Sequence, residues 1–429
     1  MRIPITDVTP ETQQAVVIGW INEVRDLGGL AFYILRDRTG FLQVTIVKKK
    51  APEAVIAAAK EASRESVVRV TGTVKATEKA PGGRELIPET FEIISRAESP
   101  LPLDVSEKVP AEIDTRLDNR YLDARRPRVA AIFQIRSAIT HAISNLFYEE
   151  GFTNITTSKI VAAATEGGTE LFPLAYFEKE AFLNQSPQLY KQMMMAAGFE
   201  KVYEIAPIFR AEEHNTTRHL NEATSIDVEI SFADHNDVMD LLERVIVRAY
   251  TSVAESCEPA LEALGTEFSV PNTPFPRITY AEAIDIAALS IDEDISYGDD
   301  LSTAAERAIG DEMGEHYFIT DWPTEIKPYY AMPYEDDPSI CKAFDLMHPR
   351  MELSSGAQRI HEHDLLTTQI AAKGLSPDSF SFYLQPFRYG MPPHAGWGLG
   401  MDRLIMTMLD LPNIRESVLF PRDRHRVTP

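Results

Sequence analysis

Apolar and polar residues alternate with period two in five short runs between residues 15 and 97: AVVIGWI, AFYILRD, LQVTIV, VVRVTGTV and ETFEIIS. Gly, Asp or Pro separates the runs, so the pattern predicts five β-strands joined by turns. One stretch breaks the alternation. APEAVIAAAKEAS, residues 51–63, predicts a helix between the third and fourth strands. Further on, VAAIFQIRSAITHAISNLFYEEGF (129–152) has its apolar residues at helical spacing, and Gly151 ends it. Residues 202–208 are an apolar run followed by a polar loop. The chain then returns as a strand with Ile226, Val228 and Ile230 on one side and Asp227 and Glu229 on the other. CKAFDLMHPRMELSSGAQR predicts two strands around a turn at His348, Pro349 and Arg350, and an apolar helix opens after Gly400.

Five strands with a helix between the third and fourth is the order of an oligonucleotide-binding (OB) β-barrel, which we place at residues 1–98. Residues 99–130 are rich in proline and charge and lack strong periodicity, which predicts a hinge turning helical near Asp114. Residues 131–429 mix strands and helices, so the class is α+β. Within them, 232–330 begin as a helix, continue as acidic, Pro-marked segments and suggest no chemistry.

Composition narrows this picture. At 429 residues, 44% hydrophobic and 25% charged, the chain is expected to form two or three globular domains. No apolar run is long enough to span a membrane, and MRIPITDVTPETQQ lacks a secretory pattern. With only Cys257 and Cys341 there is no disulfide framework, which fits a reducing cytoplasm. The net charge of −23 argues against a broad electrostatic nucleic-acid binder. A local basic track exists at Arg116, Arg120, Arg125, Arg126, Arg128 and Arg136, although Asp114, Asp118 and Asp123 can pair with it.

The candidate chemistry lies in three charged constellations. FRAEEHNTTRHLNEATSID (209–227) gathers Arg, Glu, His and Asp on one hairpin, a density of opposed charge that suits a ligand both anionic and cationic. Asp345 and Glu352 flank the 348–350 turn, so a hairpin can bring both carboxylates, with the Ser355 hydroxyl, to one Mg²⁺ shared with phosphates. His361, His363 and Asp364, in the H-x-H-D string HEHD, are better read as solvated than as a transition-metal site. Finally, Gly398-Leu-Gly400-Met401-Asp402-Arg403 opens a helix without the βαβ repeat that a dinucleotide site needs.

Together, FRAE…RHxxE…D and GxGxxR resemble motifs 2 and 3 of the class II aminoacyl-tRNA synthetases, and the 129–152 helix resembles the dimer-forming motif 1. That motif normally ends on Pro, where this chain has Ser158. GWINEVRDLGG…F…LRD…G…Q is similar to the anticodon-binding domain of the aspartyl, asparaginyl and lysyl enzymes (class IIb). The resemblance covers nearly the whole chain, and the archaeal type of the aspartyl branch fits it best. It implies an OB barrel followed by an antiparallel β-sheet flanked by helices, with a small insertion around 260–320, in a homodimer.

The resemblance also implies site residues. Arg210 and Arg403 would serve catalysis at the phosphates. Glu166, Ser186, Gln188, Lys191, Arg210, Asp227, Ser355 and Arg359 would bind L-aspartate, with Lys191 and Arg359 on its side-chain carboxylate and Glu166 and Asp227 on its ammonium group. Two buried cations there would reject asparagine. Arg210, Glu212, Arg218, His219, Leu220, Glu352, Gly400, Met401, Asp402 and Arg403 would bind ATP, with Mg²⁺ on Glu352, Ser355 and Asp345. Many relatives stack adenine on a Phe near Ala223, which this chain lacks. Phe32 would stack on an anticodon base, and Gln43 and Glu85 would read base edges.

The implied reaction is ATP-dependent ligation of L-aspartate to tRNA through an aspartyl-adenylate. Strict archaeal enzymes of this type tend to carry Trp at Asn22 and Lys at Pro81, whereas relaxed ones carry Pro at the latter. These two positions imply charging of tRNA(Asn) as well as tRNA(Asp), with a separate amidotransferase completing Asn-tRNA. The alternatives are an enzyme strict for tRNA(Asp), an asparaginyl-tRNA synthetase, an asparagine-forming paralogue that would not need the barrel, and an inactive tRNA-binding protein that would have lost some of Arg210, Glu352, Arg359 and Arg403.

Overall fold

A computed structural model of the chain describes residues 2–162, 170–212, 216–291 and 295–429. Its contacts divide it into two units, Met1–Arg126 and Pro127–Pro429.

In the first unit, strands β1 (Gln14–Asp26), β2 (Leu30–Asp37), β3 (Gly40–Val47), β4 (Val67–Ala76) and β5 (Arg84–Ser95) close a barrel in the order β1-β2-β3-β5-β4. A helix, Glu53–Glu61, lies between β3 and β4. All five sequence runs become strands because each has one apolar face to bury: Val17, Ile21, Leu35, Leu42, Val44, Val68, Val70 and Leu86 fill the interior. Alternation leaves Phe32, Gln43 and Glu85 part-exposed.

Residues 99–126, expected as a hinge, belong to this first unit. They bury Leu103, Val105 and Leu122 in a small core of their own. Much of the basic track is spent here. Arg116, Arg120 and Arg126 converge on the buried Asp123 at 3.1, 2.6 and 3.4 Å. Arg125 pairs with Glu65 at 2.8 Å, and Arg36 meets the same carboxylate at 2.8 Å.

The second unit contains β6 (Thr153–Asn154), a small sheet of β7 (Ile160–Val161), β8 (Pro173–Tyr176) and β9 (Lys179–Leu183), and then β10 (Lys201–Phe209), β11 (Glu222–Ser231), β12 (Arg277–Thr279), β13 (Tyr317–Pro323), β14 (Ile340–His348), β15 (Met351–Arg359) and β16 (His394–Gly400). The main sheet runs β12-β13-β14-β15-β16-β11-β10-β6. From β13 to β10 every neighbouring pair is antiparallel, and the outermost pairs, β12 with β13 and β6 with β10, are parallel.

Two long helices, Pro127–Glu149 and His235–Ser256, contribute to the core at one face of this sheet. Ile135, Ile139, Ile143 and Phe147 from the first, and Val238, Leu242 and Val245 from the second, join Ile226, Val228, Trp397 and Leu399 there. Period two then sends Ser225, Asp227, Glu229, Gly396 and Gly398 to the opposite face. That face is where the polar chemistry collects.

Candidate functional site

A cavity of about 340 Å³ opens on the polar face of the main sheet. Its lining brings together Ser186, Gln188, Arg210, Glu212, Arg218, His219, Leu220, Asp227, Glu352, Ser355, Arg359, Gly400, Asp402 and Arg403 from six separate stretches of chain. Lys191, Asp345 and Met401 are not on its wall. Glu166 lies outside the described residues.

One end of the cavity is floored by a buried ion-pair cluster. Lys191, on the Gln188–Ala196 helix, is buried and donates to Asp227 at 3.0 Å and to the Val228 and Trp397 carbonyls at 3.3 and 3.0 Å. Ser225 donates to the other Asp227 oxygen at 2.6 Å. Arg359 pairs with Glu229 at 3.0 Å, reaches Gln188 Oε1 at 3.4 Å and lies over the Tyr330 ring. Glu229 is also 3.5 Å from Lys191.

Burial alone would raise the Glu229 carboxyl, but Arg359 and then Lys191 outweigh it and hold it below the usual carboxylate range. This corrects the expectation of two uncompensated cations for an incoming carboxylate. Glu229 pairs with Arg359 and Asp227 with Lys191, so the four groups together carry no net charge.

The glycines of β16 make room for the cluster. A Cβ on Gly396 would sit 2.3 Å from a Glu229 oxygen and 2.2 Å from the Val228 carbonyl. His394, at the start of the same strand, is pushed down to about 4 by burial and is therefore neutral. Its Nδ1 donates to the Pro392 carbonyl at 2.8 Å, which leaves Nε2 to accept from the Gln192 amide at 3.0 Å.

The other end is rich in arginine. His219 is held by Thr216 at 2.7 Å, and its pKa falls because of burial and then the nearby cations Arg403, Arg210 and Arg218. Arg218 faces Glu306 at 3.5 Å, and Arg403 donates to the Glu352 carbonyl at 3.1 Å. Asp402 is engaged by protein groups: it accepts from the Thr224 amide at 2.7 Å and pairs with Arg136 at 2.5 Å. This ties the β16–helix junction to β11 and to the Pro127–Glu149 helix. The Met401 side chain joins the hydrophobic core, so only its backbone is available to a nucleotide. Ala223 lines the cavity together with Ile208 and Ile414.

Beside the arginines, three carboxyls gather. Asp345 is raised to about 6 by burial and by the Glu352 charge, although Lys327 opposes this from 2.5 Å. Glu306 is raised to about 7 by burial and then by Glu352. Asp345 Oδ1 is buried without a hydrogen-bond partner, and its strand neighbour is Ser355. A hard cation bound by oxygen would relieve this repulsion, so the donor set fits Mg²⁺. Among the described residues no three carboxylate, His or Cys side chains form a ready-made cage, so a cation here needs further ligands from a nucleotide.

Sequence reasoning missed Glu306, Lys327 and the pairing of Glu229. Glu229 was legible, because it shares a strand face with Asp227. Glu306, on the Thr303–Met313 helix, and Lys327 lie in the stretch that suggested no chemistry, and only the fold brings them here.

On the barrel, β3 and β5 run parallel with Gln43 beside Glu85. Gln43 donates to Thr45 at 3.2 Å and to Glu85 at 3.3 Å, and Thr45 donates to the same Glu85 oxygen at 2.5 Å. Phe32 pairs across the strands with Thr45 and Arg25. Asn22 accepts from Arg36 at 2.9 Å. Pro81 is exposed and opens a tight turn with Gly82 at φ +67° and Gly83 at φ +71°.

Comparison with known proteins agrees with this geometry over the whole chain. The family described as tRNA synthetases class II (D, K and N) matches residues 112–424, and an OB-fold nucleic acid binding domain matches 15–94. A protein of Methanoculleus marisnigri named Aspartate--tRNA(Asp/Asn) ligase is 72% identical over 100% of both chains. Its namesake in Archaeoglobus fulgidus is 63% identical, again over 100% of both. Among solved structures, asparaginyl-tRNA synthetase from Pyrococcus horikoshii complexed with asparaginyl-adenylate matches with a TM-score of 0.94 at 33% identity over 100% of both chains. A profile spanning 112–424 and relatives identical at these levels leave one conclusion: the chain belongs to the class II tRNA synthetases of the D, K and N group.

Proposed function

We propose that the chain is an aspartate–tRNA ligase that charges both tRNA(Asp) and tRNA(Asn) with L-aspartate through an aspartyl-adenylate. The observation that carries this reading is the balanced charge on the floor of the cavity, Lys191 with Asp227 and Arg359 with Glu229, next to an arginine-rich wall. An ammonium group drawn to Asp227 adds one positive charge to this balanced floor, and a side-chain carboxylate on the same substrate cancels it. Asparagine would leave that charge uncompensated, so the same fold as the asparaginyl enzymes carries a different amino-acid preference. The relatives named Aspartate--tRNA(Asp/Asn) ligase support the relaxed choice of tRNA, and exposed Pro81 on the barrel is consistent with it.

In the first step the substrate carboxylate attacks the α-phosphate of ATP and displaces pyrophosphate as the α–β phosphoanhydride bond breaks, an encounter of two anions that must be bridged by positive charge. Arg210 takes the α-phosphate and the substrate carboxylate. Arg218, His219 and Arg403 take the outer phosphates, and Glu212 takes the adenine amino edge. Ser186, Gln188, Lys191 and Arg359 hold the amino acid. Mg²⁺ with Asp345, Glu352 and Ser355 would supply charge neutralisation for the phosphates. The nucleophile arrives ionised, so no general base is needed and the chain contributes positioning and electrostatics. On the barrel, Phe32, Gln43 and Glu85 meet the anticodon.

The reading extends to a homodimer built on the Pro127–Glu149 helix, a place in the cytoplasm, and supply of Asp-tRNA(Asn) to an amidotransferase. No helix among the described residues is long and apolar enough to cross a membrane. The test is paired aminoacylation: purified chain, ATP, Mg²⁺ and labelled aspartate with tRNA(Asp) or tRNA(Asn) transcript. Comparable labelling of both is expected. Labelling of tRNA(Asp) alone would remove the relaxed reading, and labelling of neither with pyrophosphate exchange intact would favour an asparagine-forming relative.

A further inference from the structure

We propose that Glu306 is a positioning residue for nucleotide binding: it anchors Arg218, so that the guanidinium is already in place when the outer phosphates of ATP arrive. This rests on the reading above in which Arg218 takes those phosphates. Arg218 lies between β10 and β11, where the described residues form neither helix nor strand. A part-exposed arginine on such a stretch has many rotamers to lose when it binds a ligand. Here its Nη1 meets Glu306 Oε2 at 3.5 Å, across 88 residues of sequence.

The carboxylate comes from a firm support. Glu306 is in the first turn of the Thr303–Met313 helix, which Ser302 caps by accepting from the Ala305 amide at 3.2 Å. Ala305 and Ile309 of this helix are fully buried. One turn on from Glu306, Gly310 lets the helix press against the turn between β14 and β15. A Cβ there would lie 2.1 Å from the Pro349 carbonyl oxygen. The same hairpin carries Asp345 and Glu352, so Glu306 ties a loop arginine to the element that carries the other carboxyls.

Arg403 faces the Glu352 carboxylate at 3.7 Å, and Lys327 pairs with Asp345. Those two carboxylates belong to the proposed Mg²⁺ set, so a bound cation would draw them from their partners. Glu306 is outside that set and keeps its hold on Arg218. One guanidinium nitrogen suffices for this, and the rest of the fork remains for phosphate oxygens. Two effects of the carboxylate then oppose each other. Anchoring reduces the freedom that ATP must remove, whereas the negative charge repels phosphate. Arg403 and Arg218 both offset that charge, so anchoring is expected to be the larger effect.

The test is calorimetric binding of ATP with Mg²⁺, without aspartate, to the full-length chain. It compares the wild type with Glu306→Ala, Glu306→Gln, Arg218→Ala and the double alanine variant. Glu306→Ala should weaken ATP binding about threefold to fivefold, the effect of one part-exposed ion pair. Glu306→Gln keeps an acceptor for the guanidinium and loses the charge, so it should bind ATP at least as tightly as the wild type. Arg218→Ala should bind more weakly, and adding Glu306→Ala to it should cause no further loss. The affinity of Glu306→Ala for L-aspartate should equal that of the wild type.

Glu306→Ala binding ATP as tightly as the wild type, or Glu306→Gln binding as weakly as Glu306→Ala, would overturn the inference. A loss that persists in full in the Arg218→Ala background would show that Glu306 does not act through Arg218. An equal fall in aspartate affinity would make Glu306 a general support of the fold, and Arg218→Ala binding like the wild type would remove the reading beneath the inference. Pyrophosphate exchange is a separate readout. Its absence in a wild type that binds ATP would count against the proposed function rather than against the role of Glu306.

Discussion

On the proposed reading, the two units recognise their ligands with opposite physics. In the catalytic unit the deciding charges are sealed: Lys191, Asp227, Glu229 and Arg359 are all at least nine-tenths buried and neutralise one another almost completely. On the barrel the groups proposed to meet the anticodon, Phe32, Gln43 and Glu85, are part-exposed and rest on a sheet whose stability comes from apolar residues on its other face. A buried charge network is rigid and selective, but it makes recognition and folding the same property, because removing one member strands another in a low dielectric. A half-exposed reading surface can change its preference while the fold underneath stays as it was. Amino-acid choice is therefore expected to be hard to alter by single substitutions, and tRNA choice easy.

The largest expected effect would break this contrast most directly. Glu229→Ala leaves Arg359 and Lys191 short of a carboxylate and should destabilise the catalytic unit by about 3–5 kcal/mol. Chemical denaturation of the full chain measures it, and a loss below about 1 kcal/mol would show that the cluster is not the sealed network described. Next, Arg210→Ala should lower the rate of aspartate-dependent pyrophosphate exchange by ~10²–10³-fold with little change in melting, as expected when a donor to developing charge is removed. An effect confined to the KM for ATP would instead make Arg210 a ground-state contact.

Acid separates the units as well. All ten histidines lie beyond residue 126 and none in the barrel unit. His316 is pushed down to about 3 by burial and by His348, and burial pushes His348 and His394 down to about 4. These three stay neutral in the folded unit while the unfolded chain takes up their protons near the ordinary histidine value. Their contribution is full above that value and is lost as pH falls. Asp345 and Glu306, raised to about 6 and 7, act in the opposite sense, since protonation relieves them.

Between about pH 6 and 4.5, three protons gained on unfolding against two already bound leave roughly one excess, or about 1.4 kcal/mol per pH unit. Hydrogen exchange corrected for intrinsic rate should show the catalytic unit loosening over that window while the barrel holds. Equal loosening of both would remove histidine as the cause.

The smallest effect belongs to the barrel surface. Pro81→Lys, at an exposed turn, should lower charging of tRNA(Asn) relative to tRNA(Asp) about fivefold, near 1 kcal/mol. Folding stability should change by less than about 0.5 kcal/mol. A large stability loss would mean that Pro81 holds the turn and does not merely face the RNA.

Sequence alone determined a good deal. Alternation in five runs fixed the barrel strands, because a strand with one buried face has no other way to be written. The Asp227/Glu229 face of β11 followed from the same period, and so did Ile226 and Val228 in the core. Motif spacing placed Arg210, Arg218, Glu352 and Arg403, and the fold brings them to one cavity.

What only the tertiary structure decided is which charges answer which. Arg359 and Glu229 are 130 residues apart and meet because β15 and β11 both border β16, whose Gly396 leaves space for the carboxylate. Lys327 finds Asp345, and Glu306 finds Arg218, across loops without periodicity. Residues 99–126 fold into the first unit because three apolar side chains can be buried together, a fact that no local pattern carries. Period and propensity report the faces an element presents to core and solvent. Partners far apart in the chain are set by strand order and close backbone approach, and those exist only once the sheet is assembled.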